Sequence, residues 1–93
     1  MELSVTLKSM GYPESAIPEV MASISRLDSD LYSLLIEWLQ NGVPPAICVA
    51  GVSASDLVAR KLNPVATMLT LDWLRRDPER AKRAIGRKFF AVR

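Results

Sequence analysis

The chain has 93 residues, 49% of them hydrophobic and 24% charged, with a formal net charge of +2. These proportions suit one small folded domain rather than a disordered tail. With no His and one Cys, the composition excludes Ser-His and Cys-His nucleophile pairs, histidine metal sites and an internal disulfide.

In chain order, Leu3, Leu7 and Met10 share one helical face, and Gly11 supplies a stop. Pro13 and Pro18 cannot both sit inside one regular helix, so the pattern predicts a helical turn from Pro13, a break, and a helix from Pro18 to about Arg26. Leu27, Leu31, Leu34, Leu35, Trp38 and Leu39 form a wide apolar stripe at helical spacing, predicting a helix over about 29–40. Asp28 or Ser29 is positioned to cap its start and Gly42 to end it.

Pro44-Pro45 is expected to open a short helix, Ala46 to Ala50, closed by Gly51. Ser53 and Asp56 have the spacing of a capping box ahead of Leu57, Val58 and Leu62. Asn63-Pro64 starts a helix running to Arg76, and Asp77-Pro78-Glu79 starts a basic one over about 78–92. No segment alternates convincingly with period two, so no strand is required. The expected architecture is all-α, a compact single-domain bundle of five to seven short helices spanning 1–93. Cys48, Trp38 and Trp73 lie in apolar settings and are assigned to the core.

Charge is unevenly divided. Residues 1–74 hold four cations and eight anions, whereas residues 75–93 hold eight cations and two anions. Such an imbalance points to an anionic partner, or to a tail docked on its own acidic body. At 100° per residue Arg76, Arg80, Arg83 and Arg87 fall on one face, provided the helix line continues across Pro78. Ala81, Ile85, Phe89 and Val92 fall opposite. Lys88 extends the basic segment, and guanidinium groups match phosphate because they donate two parallel hydrogen bonds. A solvated helix face would show the same pattern.

Two stretches carry family resemblances. Asn41 to Ser53, with its Gly51-Val52-Ser53 turn, resembles the opening of a helix-turn-helix. Trp73-Leu74-Arg75-Arg76-Asp77-Pro78-Glu79-Arg80-Ala81 is similar to the Trp-Leu-x-x-Asp-Pro-x-x-Ala segment of phage small-terminase-like DNA-binding domains. That resemblance, covering residues 41–87, implies duplex DNA as partner, with Ser55, Arg60 and Lys61 on a helix that meets the major groove. Met10-Gly11-Tyr12, followed later by Glu37-Trp38-Leu39, is similar to ubiquitin-associated domains over residues 7–44. There the Met-Gly-Tyr loop helps form an apolar patch for a partner protein. A helix stop packed on the core explains Met10, Gly11 and Tyr12 equally.

The sequence therefore points to a cytoplasmic, non-enzymatic, nucleic-acid-binding domain that needs no cofactor. Arg60, Lys61, Arg76, Arg80, Arg83, Arg87, Lys88 and Ser55 are its candidate contacts. The alternative is a protein-interaction module, such as an adaptor, inhibitor or assembly subunit, with homodimerisation as one way to cover apolar surface. Neither a membrane span nor a secretory leader is expected, because the longest apolar run is far shorter than the roughly 18–20 residues a span needs.

Overall fold

A computed structural model describes residues 2–86. The fold is all-α apart from one minimal hairpin. Its helices are α1 (Leu3–Ser9), α2 (Ile17–Ser25), α3 (Ser29–Asn41), α4 (Ala54–Ala59), α5 (Pro64–Arg76) and α6 (Pro78–Ile85). A 3-10 turn at Glu14–Ala16 leads into α2, which carries Pro18 in its first turn, where no N–H is missed.

The short helix expected over Ala46 to Ala50 does not form. Cys48–Val49 (β1) instead pairs antiparallel with Val52–Ser53 (β2), in the register Cys48 to Ser53 and Val49 to Val52. Ala50 (φ 53°) and Gly51 (φ 85°) make the two-residue turn with the sign pattern of a type I′ hairpin. The β-branched residues on either side fit a pleated ladder. Cys48 consequently projects outward and is exposed, not part of the core.

Several helix ends follow their sequence signals. Ser53 Oγ accepts from the Asp56 amide at 3.0 Å while Asp56 Oδ2 accepts from the Ser53 amide at 3.1 Å, completing the capping box of α4. Asn63 Oδ1 accepts from the Ala66 amide at 2.8 Å and caps α5. Gly42, at φ 75°, ends α3 in the left-handed conformation. Asp28 and Asp77 depart from expectation, since neither side chain makes a capping bond to its helix.

Two C-termini share one closure. In α1 the Tyr12 amide donates to the Leu7 carbonyl and the Gly11 amide to that of Lys8. In α4 the Leu62 amide donates to Leu57 and the Lys61 amide to Val58. Both are Schellman motifs, with Gly11 (φ 99°) and Lys61 (φ 73°) in the left-handed position. Gly suits that conformation, whereas Lys adopts it at a steric cost.

Helix α5 is the hub, with α2, α3, α4, α6 and β1 all packed on it. Val65, Met68, Leu71 and Leu74 of α5 join Leu31, Leu35 and Trp38 of α3 in one continuous core. Leu7, Ile24, Leu57, Ala81 and Ile85 close that core from α1, α2, α4 and α6. Among the described residues no helix is long and apolar enough to cross a membrane.

Candidate nucleic-acid interface

The basic segment divides at Asp77. Its backbone (φ −146°, ψ 75°) leaves the helical region, so α5 ends at Arg76 and α6 begins at Pro78. The residue before a proline is disfavoured in the α conformation, which is why the break falls there. The helix line therefore does not continue across Pro78, and Arg76 leaves the predicted row.

Arg75 and Arg76 are committed to the protein's own acids and carbonyls. Arg75 Nη1 donates to both carboxylate oxygens of Asp30 at 3.1 Å and to Asp28 Oδ2 at 3.5 Å. Arg76 Nε pairs with Asp72 Oδ2 at 3.1 Å, and its Nη2 donates to the Arg26 carbonyl at 2.7 Å. That carbonyl lies at the end of α2, where helix geometry leaves C=O groups without partners. Together the two arginines tie the corner between α2 and α3, around buried Leu27, to the end of α5. Desolvation pushes the Asp30 carboxyl up, but the Arg75 hydrogen bonds, the Leu31 amide and the Arg75 charge hold it below its ordinary value. Reciprocally, the hydrogen bond to Asp30 raises Arg75, so this contact is charged on both sides.

Arg80 and Arg83 are differently placed. Ala81 and Ile85 seat α6 on the core, while Arg80, Lys82 and Arg83 are exposed. Among the described residues no hydrogen bond or ion pair engages these three cations. Arg80 and Arg83 line a cleft of about 420 Å³ with Ala84 and Trp73. Trp73 is 40% exposed, against 6% for Trp38, so only Trp38 belongs to the core. Trp73 lies two positions beyond Leu71, about 200° round the helix, on the side away from the buried stripe. That rotation was the available signal, masked by the apolar neighbours Leu71 and Leu74.

Lys82 leaves α6 on its other flank. There Gly51, Val52 and Ile85 are shared by two adjoining hollows, one reaching Lys82 and the other Arg60. Arg60 caps the end of α4, and its charge adds to the Ser53 hydrogen bonds that hold the Asp56 carboxyl below its ordinary value. Ser55 and Lys61 are exposed on α4 and its C-terminal turn. Of the predicted contacts, Arg80 and Arg83 thus lie on one side of α6 and Arg60 on the other, where Lys82, which is not among them, borders the adjoining hollow. Arg87 and Lys88 lie outside the described residues.

The Met10-Gly11-Tyr12 loop is engaged internally. Met10 and Tyr12 pack against the core, and Asn63 Nδ2 donates to the Tyr12 hydroxyl at 3.0 Å. Comparisons with known protein families, with curated proteins and with solved structures find no match.

Proposed function

We propose that the protein binds nucleic acid through the exposed face of α6, with Arg80 and Arg83 as the phosphate contacts. The observation that carries this reading is that both guanidinium groups stand on a docked helix with no acid paired to them among the described residues. A preplaced, uncompensated guanidinium neutralises a phosphate without first breaking an internal ion pair. Lys82 adds positive charge on the other flank, available to a backbone that wraps over α6. The reading does not require a recognition helix in the major groove. The segment ahead of the Gly51-Val52-Ser53 turn is a hairpin strand, so α4 lacks the preceding helix of that motif.

Binding of a polyanion through these contacts has a defined salt signature. Each neutralised phosphate contributes about −0.7 to −0.9 to the slope of log affinity against log salt. Replacing both Arg80 and Arg83 with Ala is expected to flatten that slope by roughly 1.5 units. Titration of labelled DNA across a salt series reads this directly, and an unchanged slope refutes α6 as the contact surface. A protein-interaction module remains the competing reading, supported by the hollow beside Val52, Leu57 and Ile85. It gains if no nucleic acid binds at ~50 mM salt, where a cationic binder is favoured.

A further inference from the structure

We infer that the cleft between α5 and α6 is a stacking site for an unpaired nucleobase, so that the ligand is a single strand rather than a duplex. This rests on the nucleic-acid reading above and names the form of nucleic acid it implies. The argument starts from Trp73. A tryptophan is the largest apolar side chain available, and leaving 40% of it in water forgoes burial that the rest of α5 achieves. Packing does not require it there, because Val65, Met68, Leu71 and Leu74 already fill the opposite side of the helix.

The chain break at Asp77 sets what faces the indole. The Asp77 amide donates to the Trp73 carbonyl at 2.8 Å and the Ala81 amide to the Asp77 carbonyl at 3.0 Å. These bonds run the last turn of α5 and the first turn of α6 directly up to the break, and buried Ala81 and Ile85 seat α6 on the core so that Trp73, Arg80, Arg83 and Ala84 line one open cleft of about 420 Å³. An aromatic surface beside two guanidinium groups matches a nucleotide in both halves. The indole offers a face to the base, and the arginines offer donors to its phosphates. The small Ala84 leaves room between them.

Duplex DNA presents phosphates to such a cleft but not base faces, which are stacked on one another inside the helix. Single strands present both. Stacking tolerates any base, because each has a π-face, so little sequence preference is expected from this contact.

The test compares oligo(dA), an abasic strand of equal phosphate number, and a duplex of equal phosphate number. Each is titrated against the wild type, Trp73→Leu, Trp73→Phe and the Arg80→Ala/Arg83→Ala double variant. Oligo(dA) is expected to quench the emission of Trp73, a signal lost in Trp73→Leu while buried Trp38 still reports an intact fold. Trp73→Leu should weaken oligo(dA) binding roughly 5- to 150-fold, the range for loss of one base-stacking contact. It should leave the abasic strand and the duplex within about twofold, and Trp73→Phe should retain part of the affinity.

The stacking site is refuted if oligo(dA) and the abasic strand bind alike and Trp73→Leu changes neither. The nucleic-acid reading survives that result if the double arginine variant still weakens both. If no strand or duplex binds at low salt while polyglutamate does, both readings fall together.

Discussion

Arg75 and Arg76 sit five residues or fewer from Arg80, in the same basic run, yet the two groups are placed differently. The first pair is spent internally, bridging Asp28, Asp30 and Asp72 and closing the end of α2 through the Arg26 carbonyl. Arg80 and Arg83 meet no acid among the described residues and share a cleft with Trp73. The residue type is the same throughout. What differs is the backbone at Asp77-Pro78, which ends one helix over the acidic α2–α3 corner and starts another whose Arg80 and Arg83 face solvent. A segment's net charge is therefore a poor measure of the charge it can offer a partner. The side of the helix break on which an arginine falls decides the matter.

The largest expected effect lies beneath the internal pair. Leu74 is 1% exposed and directly precedes Arg75. Leu74→Ala removes buried volume where α5 joins the common core and is expected to cost about 2–5 kcal/mol in denaturant unfolding. If the cost is below about 1 kcal/mol, the end of α5 is not anchored and Arg75 and Arg76 cannot be acting from a fixed base.

Arg76→Ala comes next. It leaves Asp72, only 12% exposed at its side chain, without its cation and the Arg26 carbonyl without a donor. Hydrogen bonds involving a charged group contribute about 1.5–3 kcal/mol each, but Arg76 itself is half-exposed and water recovers part of the loss. The expected cost is about 1–2 kcal/mol. Asp72→Asn should recover some of it in the double variant, because the buried charge is then gone.

A smaller effect appears only in acid. Asp30 titrates below its ordinary value of 3.8 in the folded chain. A carboxyl with a depressed folded value stabilises the fold above its unfolded value and loses that contribution as pH falls through the folded one. Stability should therefore decline as pH drops through 3.8 and below. Arg75→Ala removes the main partner, so its acid decline should be shallower than that of the wild type. Asp56, held low chiefly by Ser53, keeps its own share of the decline in both proteins. Unfolding curves at a series of acidic pH values separate the two contributions.

Much of this arrangement is readable from residues that act locally. The capping box of Ser53 and Asp56, the Asn63-Pro64 start and the Gly42 stop each depend on a few neighbours, and each forms as the spacing predicts. The segment from Ala46 to Ala50 is not readable that way. A short apolar run satisfies a buried strand and a short helix alike, and here the ladder with Val52 and Ser53 decides. Asp28 looks like a cap from sequence because nothing local reveals a distant competitor. Asp28 is drawn to Arg75, 47 residues away. The candidate site is half legible: Arg80 and Arg83 stand out as a spaced pair, whereas the apolar neighbours Leu71 and Leu74 make Trp73 look like core and only its helical angle sets it apart.

The smallest expected change in stability is the one that separates the two arginine groups most cleanly. Arg80→Ala/Arg83→Ala removes two exposed side chains that make no internal hydrogen bond or ion pair among the described residues, so unfolding free energy should stay within about 0.5 kcal/mol of wild type. Ala has a slightly higher helix propensity than Arg, which offsets what little packing the arginine stems supply. Arg75→Ala/Arg76→Ala should do the reverse, lowering stability while leaving the salt slope for DNA binding unchanged. Near neutrality of the first variant in unfolding, together with a flattened salt slope, assigns Arg80 and Arg83 to a ligand. If that variant instead unfolds as readily as the second, the α6 arginines are holding the fold together and are not free for a partner.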